Sequence, residues 1–196
     1  MILLLLNIAV IIILTHAYVP QLKTTYKTKS AEGVSPFFWI LISLSTSYSL
    51  FNLLATGDAT WYMYLGQFIN ATVALVLFIC ITKLKYRWEV TVFVSLLYIF
   101  MNGYVYITFN LEVTQTIATI AIIIAYIDQV VHFIKSKNAE GTNPLLYFYF
   151  ALGLSLLMII MITTGASIHV IVTEAVNISL LIVCGCLSKK YKQNNL

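Results

Sequence analysis

Apolar residues fall in unbroken blocks of about 20, neither alternating with polar residues nor confined to one helical stripe, and a short polar segment closes each block. Seven blocks are read, at about residues 2–22, 36–55, 60–82, 88–108, 113–134, 144–164 and 168–187. A helix rising ~1.5 Å per residue needs about 20 residues to cross ~30 Å of hydrocarbon, so each block predicts one transmembrane helix. Barrel strands are excluded because the blocks are too long and lack a period of two. The connecting segments are short, with Gly57, Gly141 and Gly165 marking turns, and nothing of domain size lies outside the blocks. The predicted fold class is an all-α membrane protein of seven transmembrane helices.

The chain also repeats itself. Moved forward by 108 positions, the stretch Ala17 to Phe37 falls without a gap on Ala125 to Leu145, with nine of the 21 positions identical. Each copy leaves an apolar block, passes through a lysine-rich turn ending in Ala-Glu-Gly, and enters the next block at Pro36 or Pro144. This is an internal duplication. It divides the chain into a first triple-helix bundle (1–83), a linker with helix four (84–109), a second triple-helix bundle (110–188) and a cytoplasmic tail (189–196). Four crossings separate the two starts, so the expected relation is a parallel repeat about an axis along the membrane normal, a 3+1+3 plan.

Composition and charge sharpen this picture. With 61% hydrophobic and 9% charged residues and a mean hydropathy of +0.94, the chain is too apolar for a soluble core. All 11 Lys and Arg residues follow helices one, three, five and seven, whereas the opposite loops carry Asp58, Glu112 and the Thr164-Gly165 turn. By the positive-inside rule the N-terminus is outside and the C-terminus cytoplasmic. The net charge of +4 is thus a topology signal, and no nucleic-acid partner is implied. The first block lacks a basic leader and its repeat is retained, so it is read as a helix and not as a cleaved signal. Cys80, Cys184 and Cys186 are read as packing thiols. No metal spacing, phosphate loop or nucleophile–base pattern is visible, so neither an enzyme nor a cofactor is expected.

Candidate chemistry lies inside the helices. At an offset of 107, Gln67 and Asn70 fall on Glu174 and Asn177, each pair sharing a helix face. Asn70 and Asn177 both lie about half-way along their blocks, so the two amides are expected to face each other near the midplane and bind substrate, with Gln67 and Glu174 beside them. Tyr48 and Asn52, on a hydroxyl-rich helix two, are secondary candidates. Asp128 and Glu174 are the two carboxylates read inside helix interiors, where insertion costs ~2.5–3.5 kcal/mol, so each is expected to serve binding or proton coupling. Pro20 removes a backbone donor, and Gln21 is expected to satisfy the freed carbonyl so that the helix hinges there, with Gln129 acting likewise in the second half.

Pro20-Gln21, the Lys-Thr/Ser-Lys-x-Ala-Glu-Gly loop and the three-one-three plan resemble the PQ-loop family, the superfamily of SWEET and SemiSWEET sugar carriers, cystinosin-like exporters and the KDEL receptor. The second copy departs from the motif at Asp128. The resemblance implies hinging prolines and a substrate-binding asparagine in the third helix of each bundle. Trp39, at the inner end of helix two, and Trp61, at the outer end of helix three, are not placed as equivalents of the carriers' site-lining tryptophan, which points away from sugar. The expected function is a secondary transporter moving a small polar solute (amino acid, sugar or vitamin-like) by alternating access, with protons as a coupling partner. The alternative is a seven-helix receptor or regulatory membrane protein that binds a small ligand or peptide without moving it. The partners are then the solute, protons and the lipid bilayer; a homo-oligomer is compatible with this. Short loops and the Lys, Ile and Asn bias suggest a bacterial inner membrane.

Overall fold

The computed structural model describes residues 2–57 and 60–193; Asp58 and the end of the polar tail (194–196) lie outside the described residues. The described residues form seven α-helices: α1 Ile2–Thr28, α2 Pro36–Thr56, α3 Trp61–Lys85, α4 Trp88–Thr108, α5 Leu111–Ser136, α6 Pro144–Thr163 and α7 Ile168–Gln193. All seven are long and apolar enough to cross a membrane. Two boundaries differ from expectation. α1 continues to Thr28 and α7 to Gln193, each beyond its apolar block, so residues 189–193 of the expected tail are helical. A helix keeps its backbone bonds when it leaves hydrocarbon, and basic residues suit its C-terminal end; Lys192 also reaches back from α7 to donate to the Thr142 carbonyl at 2.8 Å.

α2 and α6 start alike, each with a proline at the first turn and a capping side chain before it. Ser35 accepts from the Phe38 N–H at 3.3 Å, and Asn143 from the Leu145 N–H at 3.1 Å. Packing follows the repeat. α3 packs on α1 and α2, and α7 packs on α5 and α6; across the halves α1 lies on α6 and α2 on α5. Exchanging each of the first three helices with the one four places later maps this pattern onto itself. α4 rests on α3 and α2, where the hydroxyls of Ser43 and Ser47 meet Tyr98 Oη at 2.9 and 3.2 Å. Part of the hydroxyl richness of α2 is accounted for by this seat.

The two lysine-rich loops interlock. Lys29 and Lys137 both take φ of 49°, and the Glu32 and Glu140 N–H groups donate to the side chains of Ser30 and Asn138. Ala31 and Ala139 are buried between the loops. Gln21, fully buried, donates Nε2 to the Gly141 carbonyl at 2.8 Å and accepts from the Asn143 N–H at 2.9 Å. Gln129, equally buried, donates to the Gly33 carbonyl at 2.9 Å and accepts from the Ser35 N–H at 3.1 Å. Each glutamine therefore clasps the loop of the other half at equivalent positions. This corrects the expectation that Gln21 bonds the carbonyl freed by Pro20: apart from a 3.2 Å contact to Thr25 Oγ1, its side-chain bonds cross the interface. A buried tight turn has amide groups that need partners, and the opposite helix supplies them.

The glycines of the two Ala-Glu-Gly turns make the approach possible. A Cβ at Gly33, where φ is +74°, would lie 2.1 Å from the Asn138 carbonyl oxygen, and one at Gly141 would lie 2.6 Å from that of Ser30. Gly57 has a φ of +70° with nothing within 4 Å.

Gly33→Ala and Gly141→Ala should therefore lower the thermal unfolding midpoint in detergent more than Gly57→Ala, whose left-handed backbone alone costs ~1–2 kcal/mol. A smaller loss at Gly33 and Gly141 would mean that the loops do not meet. The clasp makes a crossed prediction. Gln21→Leu should speed amide exchange at 141–143, and Gln129→Leu at 33–35, since each variant orphans two backbone groups at about 1–3 kcal/mol apiece. Exchange confined to the mutated half would refute the crossing.

Candidate functional site

A small central cavity of about 80 Å³ sits where the halves meet. Its lining falls into pairs related by the 108-residue offset: Leu14 with Ile122, Tyr18 with Tyr126, Phe38 with Leu146, Trp39 with Tyr147, Ile42 with Phe150, and Thr46 with Leu154. Both halves thus present equivalent positions to one void. Asn70 and Leu181 complete the lining. A void of this size suits a few waters or one small group, against roughly 300–1,000 Å³ for ligand pockets in general. Toward the lysine-bearing end, aromatic rings fill the space. Phe38 stands edge-on to Trp39 at 5.0 Å and lies 6.1 and 6.3 Å from Tyr126 and Tyr147, while Tyr18 meets Phe150 edge-on at 5.0 Å.

A second cavity, about 670 Å³, lies among α2, α5, α6 and α7. Its lining comes from the beginnings of α5 and α7 and the later half of α6, and so lies toward the end opposite the lysines. Ile122 lines both cavities, so the partition between them is thin there. Glu174 and Asn177 face the larger one. Asn177 donates Nδ2 to Glu174 Oε2 at 3.0 Å. Its Oδ1, on a residue only 4% exposed, has no partner.

The two asparagines expected to face each other occupy neighbouring cavities. Asn70 accepts from the Tyr18 hydroxyl and lines the central void, whereas Asn177 lines the larger one. Gln67 is turned away from both and donates to the Thr46 carbonyl at 3.0 Å, tying α3 to α2; its counterpart Glu174 is left to face the cavity. Asn52 bridges to α5, accepting from Thr114 Oγ1 at 2.8 Å and donating to Gln115 Oε1 at 3.1 Å. Tyr48 is buried, and neither it nor Asn52 lines either cavity.

Asp128 also lies away from both cavities. Its carboxylate accepts from the Ser35 hydroxyl, the cap of α2. The equivalent bond in the other half runs from Asn143 Nδ2, the cap of α6, to the Pro20 carbonyl at 3.3 Å. Asp128 thus does with its side chain what Pro20 does with its backbone. Trp39, set aside in the sequence reading, lines the central cavity. His16 is exposed and stands edge-on to Tyr149 at 5.3 Å.

Sequence reasoning missed Gln115, Thr116, Thr119 and Thr173, all of which line the larger cavity. The signal was present as polar residues in the first turns of α5, with Gln115 and Thr119 one turn apart on one face. No group of three His, Cys, Asp or Glu that could hold a metal occurs among the described residues.

No curated protein and no solved structure matches the chain. Residues 2–62 match the family model described as the PQ loop repeat, a span that takes in α1, the first clasped loop, α2 and the start of α3. The sequence that builds the first clasp is therefore similar to the PQ loop repeat, and this match over residues 2–62 supports the PQ-loop family.

Proposed function

We propose that the protein is a secondary transporter that moves a small polar solute across the membrane by alternating access between two three-helix bundles, residues 1–83 and 110–188. The observation that carries this reading is the contrast between the two ends. The lysine-bearing end is shut by the Gln21 and Gln129 clasps and a plug of aromatic rings, while the opposite end holds a cavity of about 670 Å³ whose polar groups reach inward to Asn177. A symmetric frame with one end closed and the other hollow suits two bundles that rock about a shared axis. Under the positive-inside rule the closed end is cytoplasmic.

Solute binding falls to Glu174 and Asn177 in this reading, and Asn70 takes it up as it passes the central void. Asp128 supplies the proton step. Its bond to Ser35 joins α5 to the cap of α2 in the other half, so a change of protonation there acts on the closure and not on the solute. A potential of about 100 mV gives ~2.3 kcal/mol per inward charge, enough to concentrate a solute tens of fold.

The test is uptake by the purified chain in proteoliposomes, with labelled amino acids, sugars and vitamins under an imposed pH gradient. Saturable uptake of at least one solute is expected, with Asn177→Leu cutting the initial rate at least about tenfold, the scale of a lost buried hydrogen bond. Asp128→Asn should retain exchange of that solute but lose its response to the gradient. Binding without uptake of any solute would replace the transporter reading with a receptor, and an unaltered gradient response in Asp128→Asn would remove that residue from the mechanism.

A further inference from the structure

Among the described residues, two buried side-chain oxygens make no hydrogen bond, Asn102 Oδ1 and Asn177 Oδ1. Asn102 is on α4, which the duplication does not repeat, but Asn177 has a counterpart in Asn70, and there the oxygen is satisfied. Asn70 Oδ1 accepts from the Tyr18 hydroxyl, joining α3 to α1 at the central void. Tyr126 stands where the repeat puts the equivalent donor. It lines the same void as Tyr18, yet its hydroxyl makes no hydrogen bond among the described residues. One bundle thus carries a joined tyrosine–asparagine pair, and the other carries both members of that pair unjoined.

The difference begins one turn earlier on the third helix of each bundle. In α7, Asn177 is held by Glu174, to which its Nδ2 donates at 3.0 Å; in α3, Gln67 is spent on the Thr46 carbonyl and leaves Asn70 to Tyr18. Further from the lysine-bearing end the two bundles differ in the same sense. Ile11 of α1 lies against Gly66 of α3, where an added Cβ would stand 3.1 Å from its γ carbons. Their counterparts Thr119 and Thr173 line the larger cavity, and each donates its hydroxyl to the carbonyl four residues back on its own helix, at 2.9 and 2.8 Å, so neither bonds across. The first bundle is filled at the level where the second is hollow. An oxygen enclosed by protein is beyond the reach of water, so its partner has to be a protein group brought there by another arrangement.

We propose that Tyr126 and Asn177 join when the larger cavity shuts, Tyr126 Oη donating to Asn177 Oδ1 and holding α7 on α5 as the Tyr18–Asn70 bond holds α3 on α1. Tyr126 is then a positioning residue for the closing step, and Glu174 is its antagonist. While the carboxylate holds the Asn177 amide the pair stays apart, and a solute that engages the carboxylate releases it. Ile122, one turn before Tyr126 on α5, lines both cavities, so the new bond forms at the passage between them. The second bundle accordingly changes its internal packing instead of moving as a rigid unit.

This closure rests on the alternation proposed above, and its test reads movement, not transport. Spin labels are placed on Glu112→Cys at the start of α5 and Ser167→Cys just before α7, both exposed, in the full chain in nanodiscs with the exposed Cys80 and Cys186 replaced by serine. Pulsed dipolar spectroscopy then gives the ratio of short to long α5–α7 separations. Glu174→Leu, which frees Asn177, should raise that ratio at least about tenfold, the scale of a buried group gaining its hydrogen bond. Adding Tyr126→Phe or Asn177→Leu to Glu174→Leu should cancel the rise, because either removes one member of the pair. An unaltered distribution in Glu174→Leu overturns the proposal, and so does a rise that survives Tyr126→Phe. Closure through the pair without uptake of any solute sustains it and removes the transporter reading; uptake with an α5–α7 separation that Glu174→Leu does not move has the opposite meaning.

Discussion

In each of two short loops, one carbonyl and one N–H are satisfied by a glutamine from the opposite half, and the rest of the arrangement depends on that exchange. A polar backbone group left bare at the edge of hydrocarbon costs several kcal/mol, so a buried turn must find donors and acceptors within the protein. The loop at 29–35 finds them on α5 and the loop at 137–143 on α1. Neither half can complete its own turn. The repeat is most faithful where this constraint acts: the glutamine, the two lysines, the Ala-Glu-Gly and the proline are identical in both copies. The alanines must be small to lie between the loops, and the glycines must lack a Cβ for the loops to touch.

Departures from the symmetry are equally informative, because a duplicated frame can differ only where packing allows it. Asp128 replaces Pro20 without losing the bond to the opposite cap, since a carboxylate oxygen can stand in for a carbonyl oxygen. Glu174 replaces Gln67 at the price of a tie between the third helix and the second, and the space beside it is the larger cavity. The clasped end thus keeps its twofold character while the hollow end loses it. Structure tolerates asymmetry least at the clasp and most around the cavity.

Much of the frame was legible in the sequence, because length and hydropathy fix spans in a bilayer and a gapless repeat fixes equivalence. The overrun of α1 and α7 was not, since hydropathy reports where hydrocarbon ends and not where a helix does. The crossing of Gln21 was missed for a different reason. Its partners lie more than a hundred residues away, and a proline one position earlier offered a nearby carbonyl that seemed sufficient. Placing Asn70 and Asn177 in one site assumed that equivalent residues share one void. The repeat gives that for Tyr18 and Tyr126 but not for the asparagines: Asn70 is held by the Tyr18 hydroxyl at the central void, whereas Asn177 bonds Glu174 beside the larger cavity. The threonines of α5 were visible as letters, but their value as acceptors depends on where their protons go, which only the coordinates reveal.

The clasp also sets an energy scale for any movement of the halves. Its four glutamine bonds contribute about 1 kcal/mol each in net terms, so a state that breaks these four without replacing them lies about 4 kcal/mol higher on their account. A ligand can populate such a state only by binding it about a thousandfold better than the closed one, or by arriving together with something else that weakens the closure. In the proposed carrier, Asp128 is that second agent. Its bond to Ser35 crosses the same interface, and a carboxylate accepts a hydrogen bond about twice as strongly as its protonated form does. In that carrier, a proton added there would leave the glutamines in place but remove part of the closure, so solute binding at the hollow end and protonation at the clasped end would share a cost that neither need meet alone.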